Sequence, residues 1–441
     1  MIELDTPDRE TLERANDVTA SDLPRFAPAT RTVDHPEIKD IESATREALA
    51  AVDFSRLSPG AEVAITAGSR GIHDIVEVLT AIVTELQTRD FEPFIIPAMG
   101  SHGGATAEGQ VETLASLGIT EDALNCEIRS SMDVEAVVHG RENRPVFFAT
   151  DALRADGVLL VNRIKAHTDY NGDYESGLAK MAVIGLGKHR GAEATHNAAL
   201  RYGFDNVIPD RARMLFETTP IVGGISIIEN ADHRTAQIDG MDVEAILDRE
   251  SALLERSKEL LPTLPVKELD MLIVDRMGKE ISGTGMDTNV LGRVMFHGED
   301  EPDNPAISRV YVRSLTEASH GNGLGVGLAD FIHQDIVTDL DLTDTYLNVA
   351  TSGEPARARL PYVVPSDLSA LILACSTTGV SDPSELRVAR IDSTLNPWNL
   401  LASEPVAHEL ADRSDAAVGD LHHLEFDESG DFVADIEWPA E

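Results

Sequence analysis

Two short apolar segments near the start of the chain each run into a glycine-rich loop. Residues 61–66 (AEVAIT) lead into Gly68–Gly71, and residues 73–89 then carry apolar side chains at helical spacing. The same order returns at 94–97, which leads into Gly100–Gly104 and a further helical segment. Repeated strand, loop and helix predict an α/β fold with a parallel sheet, whose functional loops follow the carboxyl ends of the strands.

The pattern continues through most of the chain. Residues 157–162, 221–230 and 269–278 are apolar segments that predict buried strands. Pro262 and Pro265 interrupt the pattern and mark a boundary. We therefore expect two α/β domains with mostly parallel sheets and an active site in the cleft between them.

The two expected domains have different tasks. Residues 1–265 form the expected cofactor-anchoring domain, and residues 266–441 form the domain that closes the cleft. Residues 1–45 are polar and are expected to lie along the surface. A hairpin is predicted for 424–438, with its turn at 428–431.

The charge balance excludes several classes of partner. The chain has 77 acidic and 36 basic residues, a net charge of −41, which repels nucleic acid and anionic membranes. Its acids are scattered, which is typical of a surface adapted to high salt, so we expect a halophilic protein. The N-terminus has no signal-peptide pattern, and no apolar run reaches the ~18 residues of a membrane span. The sequence therefore predicts a cytoplasmic protein.

Cysteine and lysine are both scarce. Two cysteines exclude a disulfide scaffold, a thiolate zinc site and a conventional iron–sulfur site. Only seven of the 36 basic residues are lysines, yet three of them, Lys165, Lys180 and Lys188, lie between residues 161 and 191. A chain with so few lysines is expected to keep them where an amine is needed, so this cluster indicates a functional site.

Basic side chains follow three of the predicted strands. Arg70 follows the first strand, His102 follows the second, and Lys165 and His167 follow the strand at 157–162. Because the carboxyl ends of parallel strands share one edge of a sheet, these groups are expected to face one pocket. Small residues beside them let backbone N–H groups approach an anion.

Lys180 and His196 add a nucleophile and a metal ligand. Lys180 lies in an apolar stretch, where desolvation lowers the pKa of an amine and favours covalent chemistry. His196 lies on the helix that follows, and imidazole is a common ligand of transition metals.

The segments that carry these residues resemble the nickel-pincer-nucleotide-dependent lactate racemase family, and more specifically a haloarchaeal-type branch of it. The resemblance rests on GSHGGATAEGQ at 100–110 and ESGLAKMAVIGLGKHRGA at 175–192. It implies a cofactor, pyridinium-3,5-bisthiocarboxylic acid mononucleotide nickel, attached covalently through Lys180. It also implies that His196, sixteen residues later, binds the nickel.

The same resemblance implies roles for the remaining residues. His102 and His167 would be the acid–base pair, and Arg70 and Lys165 would contact the cofactor or the substrate. In the second domain it implies cofactor contacts from Lys279, Asn289 and Arg293. The expected activity is racemisation or epimerisation of a 2-hydroxy acid by reversible hydride transfer, with cofactor-synthesis enzymes as partners.

Two other functions stay open at the level of sequence. The glycines of 185–191 approximate a dinucleotide fingerprint, which favours an NAD(P)-dependent oxidoreductase. The basic loops alone are also compatible with a non-catalytic protein that binds an anionic metabolite.

Overall fold

The computed structural model describes residues 6–32, 35–168, 170–352 and 354–433, without the side chains of Glu142, Thr351 and Ser352. The chain divides into two units. The first unit is His35–Leu261, and the second unit combines Met1–Asp34 with Pro262–Glu441. Each unit has its own buried apolar clusters, built between a sheet and the helices packed on it.

The strands found in the described residues are β1 (Phe26–Arg31), β2 (Glu62–Ala67), β3 (Glu92–Pro97), β4 (Glu127–Ile128), β5 (Val134–His139), β6 (Pro145–Ala149), β7 (Gly157–Arg163), β8 (Ile221–Glu229), β9 (Thr235–Asp242), β10 (Glu268–Met277), β11 (Ala306–Leu315), β12 (Phe331–His333), β13 (Tyr362–Val364), β14 (Val388–Ile391), β15 (Asn399–Ser403) and β16 (Ala416–Val418).

The α-helices of the same residues are α1 (Arg9–Asn16), α2 (Ile41–Ala50), α3 (Ile75–Thr88), α4 (Ala107–Ser116), α5 (Glu121–Leu124), α6 (Thr150–Arg154), α7 (Leu178–Lys180), α8 (Lys188–Tyr202), α9 (Phe204–Thr218), α10 (Ile246–Glu259), α11 (Thr288–Leu291), α12 (Gln334–Asp339), α13 (Leu342–Ser352), α14 (Asp367–Thr377) and α15 (Glu404–Ala411). A π-helical turn, Met181–Gly185, continues directly from α7.

The first unit is built on a sheet of order β4-β3-β2-β7-β8-β9. All neighbours in it are parallel except β8 and β9, and β5 pairs with β6 in a separate antiparallel hairpin. Helix α3 buries Ile75, Val78, Leu79, Ile82 and Leu86, the spacing of one helical face, and these residues join the same apolar cluster as the strands.

The second unit contains a sheet of order β13-β12-β11-β10-β14-β15-β1-β16. Strands β10 to β14 pair in parallel, whereas β15, β1 and β16 add antiparallel strands at one end. The predicted α/β class with mostly parallel sheets is confirmed in both units.

The N-terminal segment differs from the prediction. Residues 1–45 were expected on the surface of a domain ending at 265, but β1 lies inside the sheet of the second unit, with Phe26, Ala27 and Ala29 buried. Five residue pairs with β15 and three with β16 satisfy its backbone. A single alternating segment of six residues has no signal that says which half of the chain supplies its partners.

The predicted hairpin near the C-terminus is described in part. Phe426 bridges Phe432 in antiparallel fashion, and the Asp427 N–H donates to the Asp431 carbonyl at 2.9 Å, so the chain turns at the expected place. Residues 434–438 of that prediction lie outside the described residues.

Candidate functional site

Three loops leave the same edge of the first unit's sheet. Strands β3, β2 and β7 are parallel neighbours, and Ala67 at the end of β2 pairs with Pro97 at the end of β3. The loops that follow them carry Arg70, His102 and His167. The parallel order of these strands is what the loop pattern of the sequence predicted.

His102 is an exposed residue in the loop after β3, and its imidazole is partly desolvated and held by the loop after β2. Its Nδ1 atom is hydrogen-bonded to the Ser69 hydroxyl. Burial lowers the pKa of His102, and the positive charges of Arg70 and Lys180 lower that pKa further. His102 is therefore neutral at neutral pH, the state in which an imidazole accepts a proton.

A buried lysine fixes the loop that carries His102. Lys188 Nζ donates to the Pro97 carbonyl at 2.5 Å and to Gln110 Oε1 at 3.0 Å. Gln110 Nε2 in turn donates to the carbonyls of Gly100 at 3.0 Å and His102 at 3.4 Å. Burial lowers the pKa of Lys188 to about 8. The lysine cluster in the sequence pointed to this residue, but not to its task of supporting the loop.

The loop after β7 is organised by a carboxylate that sequence reasoning missed. Glu175 is buried, and it accepts from the His167 N–H at 2.5 Å and from the Gly172 N–H at 3.2 Å. The His167 N–H binds Oε2, whereas Oε1 accepts from Gly172 and lies 3.0 Å from Lys258 Nζ. Burial raises the pKa of Glu175, although these bonds oppose that rise. Glu175 thus fixes the backbone at His167.

A stacked aromatic pair links three of the predicted site residues. The rings of Tyr170 and Phe204 stack with centroids 4.5 Å apart, and Tyr170 is fully buried. The centroids of the His167 and Tyr170 rings lie 4.7 Å apart, and Lys180 Nζ lies 5.5 Å from the centroid of the Tyr170 ring. The His196 ring meets Phe204 edge-on at 5.8 Å. An amine and two imidazoles therefore surround one aromatic pair.

A buried carboxyl group, also missed from the sequence, caps the turn that carries Lys180. Glu250 Oε2 accepts from the Ala179 N–H at 2.9 Å, whereas its Oε1 atom is buried and has no hydrogen-bond partner among the described residues. Burial raises the pKa of Glu250 to about 7. Gly177 makes room for this carboxyl, because a Cβ there would lie 2.1 Å from Oε1.

The two remaining basic residues of this unit lie at different places along the sheet edge. Arg70 is exposed and lies close enough to His102 to affect its pKa. The backbone groups of Lys165 and Ser176 form two hydrogen bonds with each other. The pKa of His233, in the loop after β8, is lowered mainly by burial and next by the positive charge of Lys165. The cofactor role of Lys165 stays a prediction.

The three residues predicted from the second half of the chain belong to the second unit. Lys279 Nζ donates to the Gly283 carbonyl at 3.3 Å, and Asn289 Nδ2 donates to Asp287 Oδ1 at 2.9 Å. The Arg293 guanidinium binds Asp330 at 2.6 Å and the carbonyls of residues 307, 308 and 328. These contacts explain Arg293 without a cofactor, and all three roles stay predictions.

The glycines at 185–191 do not form a dinucleotide-binding turn. That motif needs a strand before its first glycine, but Gly185 ends a π-helical turn that follows α7. A Cβ at Gly185 would lie 2.6 Å from the Ala98 carbonyl, and one at Gly187 would lie 2.5 Å from the Val183 carbonyl. These glycines allow close packing of the backbone. The sequence motif that favoured an oxidoreductase is therefore not a dinucleotide-binding motif in the structure.

No group of three or more His, Cys, Asp or Glu side chains among the described residues is arranged to hold a metal ion. None of their helices is both long enough and apolar enough to cross a lipid bilayer.

No protein-family model and no curated protein matches the sequence. Among solved structures, the chain is similar to the lactate racemase apoprotein of Thermoanaerobacterium thermosaccharolyticum, with a TM-score of 0.51 and 12% identity. That match covers 84% of this chain and 99% of the other. A Thermotoga maritima protein from a structural genomics consortium matches with a TM-score of 0.46 and 14% identity over 62% of this chain and 70% of the other. The first likeness shows a shared fold.

Proposed function

We propose that this chain is a racemase or epimerase of a 2-hydroxy acid that works with a nickel-pincer nucleotide attached through Lys180. The observation that carries the proposal is the arrangement of Lys180, His167 and His196 around the Tyr170–Phe204 pair. The fold shared with a lactate racemase apoprotein supports it.

The donor set of the site fits this cofactor. A pincer nucleotide supplies carbon and sulfur ligands of its own, so the protein needs one amine for attachment and one further ligand for the metal. Lys180 would supply the amine and His196 the ligand. A site without a cluster of three metal-binding side chains in the described residues is compatible with that division. When bound, the cofactor supplies the acceptor and donor for the hydride at C2.

The two histidines would handle the hydroxyl proton. His102 is neutral because burial and nearby positive charge lower its pKa, so it accepts the proton of the C2 hydroxyl. Ser69 fixes the orientation of its ring. His167 would do the same for the opposite enantiomer, with its backbone fixed by Glu175.

Arg70 would orient the substrate. An exposed guanidinium at the end of β2, close to His102, suits a carboxylate that must be placed with its C2 hydroxyl toward an imidazole. The proposal also implies cofactor-making enzymes as partners and a cytoplasmic location in a high-salt cell.

The experiment is to produce the protein together with enzymes that make the cofactor, and to measure its intact mass and nickel content. We expect an adduct on Lys180 and one nickel per chain. Lys180→Arg should abolish the adduct, whereas Lys267→Arg, which changes an exposed lysine, should leave it intact.

An unmodified mass under those conditions would refute the proposal. A bound dinucleotide would favour an oxidoreductase. Retention of an anionic metabolite with no turnover would favour a non-catalytic binding protein.

A further inference from the structure

The loop between β7 and α7 carries His167 and leads into the turn of Lys180. Its described residues form no helix and no strand, and a backbone bridge between Lys165 and Ser176 closes it. Side chains on such a loop keep a fixed position only where a more rigid element holds them. The relation between the His167 ring and the Lys180 amine therefore depends on what the loop packs against.

Helix α10 holds this loop from one side. Glu250, Leu254 and Lys258 follow one another at intervals of four residues, so their side chains share a side of the helix. Leu254 is buried, and the two charged residues on either side of it bind different parts of the loop.

Lys258 holds the part of the loop that carries His167. Its Nζ lies 3.0 Å from Oε1 of Glu175, whose side chain is fully buried. Burial alone would lower the pKa of Lys258, but the charge of Glu175 and the hydrogen bond between them raise it. Glu175 binds the His167 N–H through its side chain, and its backbone carbonyl accepts from the Tyr170 hydroxyl at 3.1 Å. One amine therefore supports both the imidazole and the aromatic ring beside it.

Glu250 holds the end of the same segment. Its Oε2 atom accepts from the N–H of Ala179, the residue before Lys180, at 2.9 Å. Between the two ends, the Tyr174 hydroxyl donates to the Leu247 carbonyl of α10 at 2.9 Å. The helix thus contacts the segment at three points.

Helix α10 is itself fixed to the sheet of the first unit. Arg249 Nη1 donates to the Gly240 carbonyl of β9 at 2.8 Å, and its Nη2 donates to Asp239 Oδ1 of the same strand at 3.0 Å. Ile246, Leu253 and Leu254 are buried. A helix anchored in this way is a rigid support for a loop that has little regular structure of its own.

We propose that α10 sets the separation between the His167 imidazole and the Lys180 amine, with Lys258 and Glu250 as its positioning residues. This inference rests on the proposed function. In that reaction the proton and the hydride leave adjacent atoms of the substrate, so the base and the amine that anchors the cofactor must keep a fixed separation.

Kinetics of the cofactor-loaded enzyme test the proposal, with the rate expressed per loaded chain from the intact mass. Lys258→Met should lower kcat by about 10- to 100-fold, the usual cost of a misplaced reacting group. KM should stay near the wild-type value, because Arg70 and His102 belong to other loops. Lys258→Arg keeps a cation for Glu175 and should restore most of kcat.

Arg256→Met is the matched control, because it removes an exposed cation of the same helix, and it should keep the wild-type kcat. An equal loss in this control, an unchanged kcat in Lys258→Met, or a loss that Lys258→Arg does not restore would overturn the proposal. If Lys258→Met does not fold, Tyr174→Phe takes its place, since it removes a contact with α10 without leaving a buried charge. An unchanged kcat in Tyr174→Phe would then overturn the proposal.

Nuclear magnetic resonance of histidine-labelled apoprotein tests the position of His167 without the cofactor. The His167 signal, assigned with His167→Gln, is expected to depend on the ring current of Tyr170, because the two ring centroids lie 4.7 Å apart. Lys258→Met should shift this signal and leave that of His102 in place. An unmoved His167 signal would overturn the positioning role. An unmodified Lys180 in the wild type would instead refute the racemase proposal and leave this measurement valid.

Discussion

The two units bury charge in opposite ways. In the second unit, the buried Arg390 forms a two-pronged ion pair with Asp275, at 2.7 and 2.9 Å, between strands β14 and β10. Arg313 also donates to Asp275, and it donates two hydrogen bonds of 2.8 and 2.9 Å to Asp367. Burial alone would lower the pKa of Arg313, but the bonds and charge of Asp367 raise it above its ordinary value.

In the first unit, desolvation shifts three groups near the carboxyl ends of the strands toward their neutral forms. Burial lowers the pKa of His102, lowers the pKa of Lys188 to about 8, and raises the pKa of Glu250 to about 7. Each shift favours the neutral form of the group, and Lys188 and Glu250 titrate nearer to neutral pH than they would in water. A group whose neutral form is favoured can exchange a proton near neutral pH, whereas a group held charged by an ion pair does not.

Charges that hold the fold and charges that take part in chemistry therefore differ in the direction of their pKa shifts. Ion pairing that stabilises the charged state indicates a network that stabilises the fold. The network of Asp367 is an example, because Asp367 also accepts from the Phe432 N–H at 2.9 Å and so holds the C-terminal turn. Burial that weakens the charged state marks a candidate site of chemistry.

The largest expected effect is on turnover. His102→Gln removes the neutral imidazole at the sheet edge, and we expect it to lower kcat of the cofactor-loaded enzyme by about 10²- to 10⁴-fold, the usual contribution of a general base. Its free energy of unfolding should change little, because His102 is exposed. The measurement is the racemisation rate of an enantiopure 2-hydroxy acid, followed by polarimetry or chiral chromatography.

His139→Gln is the matched control, since it changes an exposed histidine of the same unit. It should keep the wild-type rate. A loaded His102→Gln enzyme with undiminished kcat would remove His102 from the acid–base pair and would weaken the distinction between the two regions.

The next effect is on stability. Arg390→Met leaves Asp275 buried with one of its two arginine partners, and breaking a buried pair costs about 3–5 kcal/mol. Denaturant titration at fixed salt should show this loss as a lower unfolding midpoint. Arg56→Met, which breaks an exposed pair with Glu244, should cost only about 0–1 kcal/mol. Equal losses in the two variants would contradict a structural role for the network.

Sequence reasoning predicted the first unit well because its signals are local. Periodic apolar residues and glycine-rich loops marked β2, α3, β3 and β7, and Thr106 caps α4 by accepting from the Gly109 N–H at 3.0 Å. These elements form from short stretches whose pattern matches their structure. The parallel order of the strands then placed the loops of Arg70, His102 and His167 at one edge.

What sequence reasoning missed depends on distant partners. Sequence reasoning gave no role to Glu175 or Glu250 in a chain with 77 acidic residues, and only the fold shows that both are buried beside the loops of His167 and Lys180. In the same way, β1 finds its partners in β15 and β16, more than 350 residues away. A pattern of polar and apolar residues says that a segment is half-buried, but not against what.

The smallest expected effect concerns the pH dependence of stability and tests Glu250. In the unfolded chain its carboxyl loses the proton near its ordinary pKa of 4.5, whereas the folded protein keeps it up to a pKa of about 7. Between those values the folded state binds more protons than the unfolded state, so this group's contribution to the free energy of unfolding falls as the pH rises. Above pH 7 the lost contribution is on the order of 3 kcal/mol at most.

Glu250→Gln keeps an oxygen that can accept from the Ala179 N–H but has no proton to lose. We therefore expect a smaller drop in the free energy of unfolding between pH 5 and pH 8 in Glu250→Gln than in wild type, and subtraction of the two curves isolates this one group. Glu259→Gln, an exposed acid on the same helix, should follow the wild-type curve. If Glu250→Gln also follows that curve, the carboxyl is not held neutral. The turn of Lys180 would then be capped by a charge, as in the second unit, rather than by a group able to exchange a proton near pH 7.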